Sequence, residues 1–481
     1  MRKPLIFLLV AMFGHLAFAD SHGALTCTGT VSLLIGGVSN QRISELASQT
    51  KIAFRMDQAI QKAFLTGGAN AALIRTLRSN QTLNGMANCS PPLWEAARSE
   101  HRGGYPHAEK IVRKLIENSP KDSGLHFALG YLRQQQGDWD EAFDEYSTSR
   151  DLSPGLPETH IRLSEVFYQS NDSNNAIAEA RTALSIDPQN SEAHRMLGLG
   201  LYVNDQYDFA LNAFREALSF DPDDADTHYD IAMTLADKKQ PEAAAAEYRI
   251  AIKLRPGFWQ AHNNLGILLH DEGKLDDAIV EYKQAKQVAP QEPTVRNNLG
   301  NTYYDKGAYD SAVVEFHELF RLNPNWKGGH AGLAKVYLAK RDYQSAIQEL
   351  KLAILDNPTA SAEHRVLGQV LLLQHQQQDG LRELRIAVEL DPDSALAHRL
   401  YGTALFEANH LNAATQEFRE TLRLEPSAEN HYYLAACLIT MGRDSEALAE
   451  LELASALKPE QNLYRARKDE LLKLMKGNNA Q

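Results

Sequence analysis

Residues 261–290 read AHNNLGILLHDEGKLDDAIVEYKQAKQVAP, and the spacing of their apolar residues indicates two helices. Leu265 and Leu269 lie four residues apart, as on one stripe of a helix. A second stripe, at spacings of four, three and three residues, consists of Ala278, Tyr282, Ala285 and Val288. Gly273 breaks the chain between the stripes, and Pro290 ends the second helix because proline has no amide donor. The stretch therefore predicts a helical hairpin.

The same unit recurs in ten copies between residues 123 and 461, with a period of 34 residues and one copy of 33. Position 8 of every copy is a small residue, position 20 is alanine or glycine, and position 32 is proline. In two neighbouring copies these structural positions are Gly266, Ala278, Pro290, Gly300, Ala312 and Pro324. Small residues let paired helices approach closely. Because one hairpin cannot bury its apolar faces alone, neighbouring copies must cover them.

The quoted run and residues 296–324, RNNLGNTYYDKGAYDSAVVEFHELFRLNP, resemble tetratricopeptide repeats in their period, small residues and terminal proline. The resemblance implies an all-α fold: a right-handed α-solenoid of about ten to eleven helix-turn-helix repeats. In that family the first helices line a concave groove that binds peptides or partner proteins. A decayed copy at 89–122 overlaps a predicted linker at 80–92. Residues 462–476 predict an amphipathic helix that caps the array.

The resemblance also implies which positions face the groove, mainly 2, 5, 9, 12 and 13 of each copy. Peptide-binding candidates at or beside these positions are Tyr168, Arg195, Tyr202, Tyr229, Asn263, Asn264, Asn297, Asn298, Asn301, Tyr304, Lys335, Arg365 and Arg399. Asparagine amides can hydrogen-bond the backbone of an extended peptide irrespective of its sequence. Similar asparagine ladders occur in the repeat arm of the O-linked N-acetylglucosamine transferase. A solvated helix face is the alternative interpretation for each residue.

Residues 1–19 have the layout of a secretory signal peptide. Arg2 and Lys3 form a positive leader, an apolar stretch of 15 residues follows, and a small-x-small site predicts cleavage after Ala19. The apolar stretch is shorter than the roughly 20 residues that a membrane span needs. We therefore expect an exported protein, periplasmic or extracellular, with no membrane span in the mature chain. An uncleaved anchor is the alternative.

Residues 30–79 contain a weak duplication that predicts a small helical module. Gly36-Gly37 and Gly67-Gly68 are each followed by isoleucine and leucine at identical offsets. Each pair can end one helix and begin another, because glycine tolerates the left-handed conformation of a helix stop. The expected helices are 30–35, 39–50, 55–66 and 70–79. Helix-turn-helix geometry suggests DNA binding as one function of the module. The expected export and the negative charge of the chain oppose that function, and they favour a packing or interaction module.

Histidine occupies position 4 in nine of the ten copies, with Arg296 as the exception. Geometry opposes a metal array, because neighbouring helices pack about 8–10 Å apart and zinc needs nitrogens at about 2.0–2.1 Å. The favoured interpretation is half-buried packing near the start of each first helix. A row of imidazoles that titrates near neutrality is a further hypothesis.

Composition and motifs argue against an enzyme. Hydrophobic residues make up 43 % of the chain, which is typical of a globular protein, and a net charge of −13 without a basic block disfavours nucleic acid. The sequence has no H-E-x-x-H, G-x-S-x-G or G-K-[ST] motif, so we predict no catalytic residue, metal or cofactor. We expect a non-enzymatic scaffold that binds another polypeptide. The alternatives are an assembly component of an envelope or secretion complex, and the arm of a transferase whose catalytic part is another chain.

Two of the three cysteines could form a disulfide bond if the protein folds in an oxidising compartment. Cys27 and Cys89 bracket the module, whereas Cys437 falls at position 10 of its copy, where other copies carry core residues. In an oxidising compartment a bridge between Cys27 and Cys89 would close a long loop and stabilise the fold by about 3–4 kcal/mol. Two free thiols are equally consistent with the sequence.

Alkylation under denaturing conditions distinguishes these states. If the bridge forms, one of the three cysteines is alkylated without reductant and all three after reduction, because a disulfide does not react with the reagent. Intact-mass measurement of the mature protein counts the added groups. Three alkylated thiols in the unreduced sample would exclude the bridge.

Overall fold

The computed structural model describes residues 24–81 and 90–478, whose regular secondary structure is helical. The predicted signal peptide, its cleavage site and Cys89 lie outside the described residues. The first four helices are α1 (Cys27–Ile35), α2 (Asn40–Thr50), α3 (Gln58–Thr66) and α4 (Ala71–Ser79). Their connecting segments meet in isolated bridges that join Leu25 to Ile52 and Ile52 to Gln81.

The rest of the described chain consists of paired helices and one terminal helix. The pairs are α5 (Pro91–Glu100) with α6 (Tyr105–Asn118), α7 (Ser123–Gln135) with α8 (Trp139–Leu152), α9 (Pro157–Gln169) with α10 (Ser173–Ile186), α11 (Ser191–Val203) with α12 (Tyr207–Phe220), α13 (Ala225–Asp237) with α14 (Pro241–Leu254), α15 (Trp259–Asp271) with α16 (Leu275–Val288), α17 (Pro293–Asp305) with α18 (Tyr309–Leu322), α19 (Gly329–Ala339) with α20 (Tyr343–Asp356), α21 (Ser361–Leu373) with α22 (Gln377–Leu390), α23 (Ala395–Glu407) with α24 (Leu411–Leu424), and α25 (Ala428–Thr440) with α26 (Asp444–Leu457). Helix α27 (Asn462–Asn478) follows. The all-α, repeated helix-turn-helix architecture that the sequence predicted is confirmed.

A left-handed residue closes the turn inside each of these pairs. At Gly137, for example, the backbone amides of residues 137 and 138 return to the carbonyls of Gln134 and Arg133, a Schellman arrangement. The positive φ recurs at position 15 of every copy: Gly137, Asn171, Asp205, Lys239, Gly273, Gly307, Arg341, His375, Asn409 and Gly442. Gly103 has the same conformation between α5 and α6, with φ 75°. The α5–α6 pair therefore shares the turn of the regular copies, although its sequence has decayed.

The small residue at position 8 packs against the side chain at position 24 of the same pair. A Cβ atom added to Gly198 would lie 2.4 Å from the Phe214 ring, and one added to Gly266 would lie 2.7 Å from the Tyr282 ring. Where position 24 is Ala180, position 8 is Ser164, whose hydroxyl donates a 2.7 Å hydrogen bond to a backbone carbonyl of the second helix. The side chains at positions 8 and 24 together therefore fill the space between the two helices of a pair.

The chain divides into two compact units, which we call unit 1 (up to Pro256) and unit 2 (from Gly257). In unit 1 a single apolar cluster runs from Leu25 in the module to Val166 in α9, so the module shares its core with the repeats. In unit 2 the core next to the terminal helix includes Leu451 and Leu471. Helix α27 thus covers the last pair with part of its apolar face.

Several helix starts differ from the expectation because of local capping. Helix α1 begins at Cys27, three residues before its predicted start, since the Thr26 side chain accepts a 2.9 Å hydrogen bond from an amide of the first turn. Helix α5 begins at Pro91, inside the stretch predicted as a linker, because proline is favoured at the first helical position. The glycine pairs end helices as expected, with φ of 71° at Gly37 and 100° at Gly68.

Replacing Gly266 with alanine tests the close approach of the paired helices. The added methyl group meets the buried Tyr282 ring, so we expect overpacking to cost about 1–3 kcal/mol. This loss opposes a gain in helix propensity of about 1 kcal/mol for alanine over glycine. Urea denaturation followed by circular dichroism measures the net loss of unfolding free energy.

Two glycines of unit 2 provide graded controls. A Cβ atom at Gly300 would lie 3.1 Å from the Phe316 ring, and one at Gly257 would lie 3.9 Å from its nearest neighbour. We expect a smaller effect for Gly300→Ala and no loss for Gly257→Ala. Equal stability of the Gly266→Ala and Gly257→Ala proteins would contradict the packing argument.

Candidate functional site

Within each unit, the first helices of successive pairs form a surface that we call the first-helix face. Hydrogen bonds between residues 35 positions apart join α11 to α13 in unit 1 and α15 to α17 in unit 2. The bonded residues are Arg195 with Asp230 and Tyr202 with Asp237 in unit 1, and Asn263 with Asn298 and His270 with Asp305 in unit 2. Four of the thirteen residues that the sequence suggested for peptide binding, Arg195, Tyr202, Asn263 and Asn298, therefore bond to a neighbouring first helix in this way.

In unit 1, the candidate Arg195 forms a buried ion pair. Its Nε atom donates a 2.6 Å hydrogen bond to Oδ2 of Asp230 on the next first helix, and the Asp230 side chain is only 4 % exposed. Burial raises the pKa of Asp230 to about 6, against the stabilisation of its carboxylate by the Arg195 guanidinium. The ion pair therefore ties two repeats together and engages the Nε donor of Arg195.

The nominated tyrosines of unit 1 are engaged in a similar way. The Tyr202 hydroxyl donates a 2.5 Å hydrogen bond to Asp237, and burial together with this carboxylate raises the pKa of Tyr202. Burial also raises the pKa of Tyr168. The Tyr229 ring lies 5.7 Å from the Tyr248 ring, measured between centroids. Tyr202 is therefore hydrogen-bonded within the array, and Tyr229 packs within it.

The N-terminal module covers the beginning of the unit 1 first-helix face. Gly36 lies against the Phe127 ring and Gly37 against the Tyr131 ring, so close that a Cβ atom at either glycine would overlap the ring. The Gly37 carbonyl also accepts a 3.4 Å hydrogen bond from Arg162 of the following pair. The module thus occupies repeat positions that the family resemblance assigned to a ligand.

Arg42 of the module fixes this arrangement electrostatically. Its Nε atom lies 2.8 Å from Oε1 of the buried Glu158, and its Nη2 atom lies 2.6 Å from Oδ2 of Asp187. Sequence reasoning did not single out Arg42 or Glu158, because 116 residues separate them and neither belongs to a motif. The pairing of Arg195 with Asp230 was weakly visible in the sequence, because the two charged residues lie at neighbouring positions of successive repeats.

In unit 2, three of the nominated asparagines hydrogen-bond one another. Nδ2 of Asn298 donates to Oδ1 of Asn263 over 3.0 Å, and Nδ2 of Asn263 donates to Oδ1 of Asn264 over 3.2 Å. Asn263 is buried, whereas Asn264 and Asn298 are half-buried. Part of the hydrogen-bonding capacity of these asparagines therefore joins α15 to α17.

Four other nominated side chains of unit 2 make no hydrogen bond or ion pair with any described residue: Asn297, Asn301, Lys335 and Arg365. They belong to α17, α19 and α21, three consecutive first helices. Lys335 is exposed and the others are half-buried. The unit 2 first-helix face thus presents amide and cationic groups whose polar atoms are available to a ligand.

The remaining two candidates, Tyr304 and Arg399, already contact other side chains of unit 2. The Tyr304 ring lies 6.0 Å from the Tyr309 ring, and Arg399 lies 3.4 Å from a carboxylate oxygen of Glu429 and 5.9 Å from the centre of the Tyr433 ring. Among the described residues, no group of three or more histidines, cysteines, aspartates or glutamates is arranged to hold a metal ion. The described helices also include none that combines the length and apolarity needed to cross a membrane.

Comparison with known families agrees with this geometry. Tetratricopeptide repeat families match residues 161–225, 225–258, 297–364 and 365–429, and a TPR repeat family matches residues 268–307. These matches cover more than half of the 481 residues. The chain belongs to the tetratricopeptide repeat family. No curated protein matches it.

Several solved structures are similar to this chain at low sequence identity and low TM-score. The Cut9–Hcn1 hetero-tetramer of APC/C is 15 % identical with a TM-score of 0.47, and the match covers 79 % of this chain and 75 % of that chain. PilF of Pseudomonas aeruginosa is 20 % identical with a TM-score of 0.38, over 46 % and 96 % of the two chains. YrrB, a TPR protein with an unusual peptide-binding site, is 21 % identical with a TM-score of 0.32, over 41 % and 97 %. These values concern the fold alone.

The buried Arg195–Asp230 pair and the exposed Arg399–Glu429 pair should contribute differently to the free energy of unfolding. Replacing Arg195 with leucine leaves the buried Asp230 carboxylate uncompensated, so we expect a loss of about 3–5 kcal/mol in unfolding free energy. Replacing Asp230 with leucine as well should recover much of this loss. Urea denaturation of both variants measures these changes.

The control is Arg399→Leu in unit 2, whose pair with Glu429 is exposed and is worth about 0–1 kcal/mol. If Arg195→Leu costs no more than Arg399→Leu, the Arg195–Asp230 pair does not tie the repeats together.

Proposed function

We propose that this protein is a non-enzymatic scaffold that holds an extended segment of another polypeptide on the first-helix face of unit 2. The observation that carries the proposal is the set of available polar side chains, Asn297, Asn301, Lys335 and Arg365, on three consecutive first helices. Water can reach these partly exposed groups in the free protein, and a bound polypeptide would replace that water with its own donors and acceptors.

The chemistry of these groups suits a peptide backbone. An asparagine amide can donate to a peptide carbonyl and accept from a peptide amide at the same time, whatever the side chains of the ligand. Lys335 and Arg365 add two positive charges to a chain whose net charge is −13, and these charges can pair with carboxylates of the partner. The ligand is therefore an extended segment with carboxylates along part of its length.

The corresponding face of unit 1 suits this role less well. Its Arg195 and Tyr202 are hydrogen-bonded to aspartates of the next repeat. The module covers Phe127 and Tyr131 at its beginning. We therefore place the ligand on unit 2. In the same proposal the protein is exported by the segment 1–19, and its partner belongs to the same compartment.

Site-specific photocrosslinking tests the location of the partner. A photoreactive amino acid is placed at position 335 on the first-helix face, and in a second protein at position 280, where the Val280 side chain is 54 % exposed on a second helix. Both proteins are produced in the native host and irradiated, and the crosslinked polypeptides are identified by mass spectrometry. We expect a specific adduct from position 335 and none from position 280.

The affinity of the identified partner then tests the residues. Each lost hydrogen bond is worth about 0.5–1.5 kcal/mol, so replacing Asn297, Asn301 and Lys335 together with alanine should weaken binding about ten-fold or more. Calorimetric titration measures the Kd, and circular dichroism checks that the variant is folded. The control replaces the exposed Val280 and Val314 of the second helices with serine. Unchanged affinity of the triple variant would refute the assignment.

A further inference from the structure

The histidine column at position 4 makes one recurring contact with the second helix of its own pair. In eight of the nine histidines, Nδ1 of the imidazole lies 2.5–2.7 Å from Oε2 of a glutamate 19 residues later, at position 23. The pairs are His126–Glu145, His160–Glu179, His228–Glu247, His262–Glu281, His330–Glu349, His364–Glu383, His398–Glu417 and His431–Glu450. The imidazoles are mostly buried, with side chains no more than 15 % exposed.

The second imidazole nitrogen faces the preceding repeat. Nε2 lies 3.1–3.4 Å from the carbonyl oxygen of the proline six residues earlier, which ends the previous pair. The histidines that make both contacts are His126, His160, His228, His364 and His398. Each of them therefore bridges the second helix of its own pair and the terminal turn of the pair before it.

Both partners of these imidazoles are hydrogen-bond acceptors only. A carboxylate and a backbone carbonyl carry no proton to donate, so both ring nitrogens must be donors. A neutral imidazole has one N–H group and can satisfy only one of the two acceptors. The geometry is therefore that of an imidazolium.

Arg296, which replaces histidine at position 4 of its copy, contacts the same two kinds of acceptor. Its Nη1 atom lies 3.0 Å from Oε2 of Glu315, and its Nη2 atom donates a 3.3 Å hydrogen bond to the carbonyl of Pro290. A guanidinium is always charged and only donates. The one substitution in the column thus keeps a cation with two donors between the same two acceptors.

We propose that the position-4 column is a pH-sensitive device that ties successive repeats together when its imidazoles are protonated and loosens their junctions when they lose a proton. The proposal is independent of the proposed peptide-binding function, because it concerns the array itself. It assigns a role to the column other than the packing and metal-binding interpretations.

Other charged groups near the column modulate individual members. Asp122 and Asp224 cap the first helices that carry His126 and His228. Arg150, from the preceding second helix, lies 3.4 Å from Glu179 and competes with His160 for it. The groups that lie around other members of the column are Lys286 beside Glu315, Tyr337 near Glu349, and Tyr401 near Glu417, Arg385 and Glu389.

The direction of the pH effect follows from the charge. The hydrogen bond that the His126 ring donates to Glu145 is the main cause that raises the pKa of His126 above its usual 6.5, and burial opposes it. A group whose pKa is higher in the folded protein stabilises the fold fully below the unfolded value, and this contribution is lost as pH rises through the folded value. His126 therefore strengthens its junction in mildly acidic solution, and this contribution is lost as pH rises through its raised pKa.

Nitrogen-15 NMR of histidine-labelled protein tests the protonation state directly. The exposed His410, outside the column, serves as the internal reference. We expect the His126 ring to carry both N–H groups at pH values above 6.5, because its hydrogen bond to Glu145 raises its pKa. A His126 ring that is already neutral at pH 6.5 would overturn the proposal.

Arginine variants test the effect on stability without removing the two donors. In wild-type protein the urea midpoint should fall as pH rises from about 6 to about 8.5. In the variant His126→Arg, which copies Arg296, this fall should shrink, since the imidazole whose pKa is raised by Glu145 no longer titrates. The control His410→Arg should leave the fall unchanged.

A gain-of-contact variant tests the same mechanism in the opposite direction. His194 contacts the Pro188 carbonyl over 2.9 Å, but Ala213 stands where the other copies have glutamate. Replacing Ala213 with glutamate should raise the urea midpoint at pH 6 more than at pH 8.5 and shift the His194 titration to higher pH. An arginine variant with the wild-type pH dependence, or a glutamate variant with no shift of His194, would refute the device.

Discussion

The close approach of two helices through a small residue at position 8 is the constraint on which the other contacts depend. At Gly266 the Tyr282 ring occupies the space that a Cβ atom would need. This separation brings position 4 of the first helix within hydrogen-bonding distance of position 23 on the second, as in His262 with Glu281. A bulkier residue at position 8 would separate both the apolar contact and the polar one.

Because the pair is repeated, the polar residues on the first-helix faces fall into two groups. Some bond to a neighbouring repeat, and others have no partner among the described residues. Where neighbouring first helices carry complementary residues, as Arg195 and Asp230 do, the side chains bond to each other. Where they do not, as at Asn301 and Lys335, the polar atoms are left for a ligand. The same face therefore has a structural role in unit 1 and is the proposed binding surface in unit 2.

Sequence patterns predicted the helices well and the partners of their polar residues poorly. The period, the small residues and the terminal proline identified the helical hairpins, because each follows from geometry within one repeat. The start of α5 at Pro91 was missed, because the two prolines were interpreted as a linker rather than as helix-starting residues. The contact of the module with Phe127 and Tyr131 was missed too, since about 90 residues of chain separate its two sides.

The sequence by itself determined the period, the family resemblance and the alignment of histidine, glycine and proline, because these are local properties that recur along the chain. Only the tertiary structure decided which polar groups meet. It paired His364 with Glu383 and Arg42 with Glu158, and it left Asn297 without a partner among the described residues. The physical reason is that hydrogen bonds and ion pairs act over about 3 Å, and only the packing of helices brings distant residues within that distance.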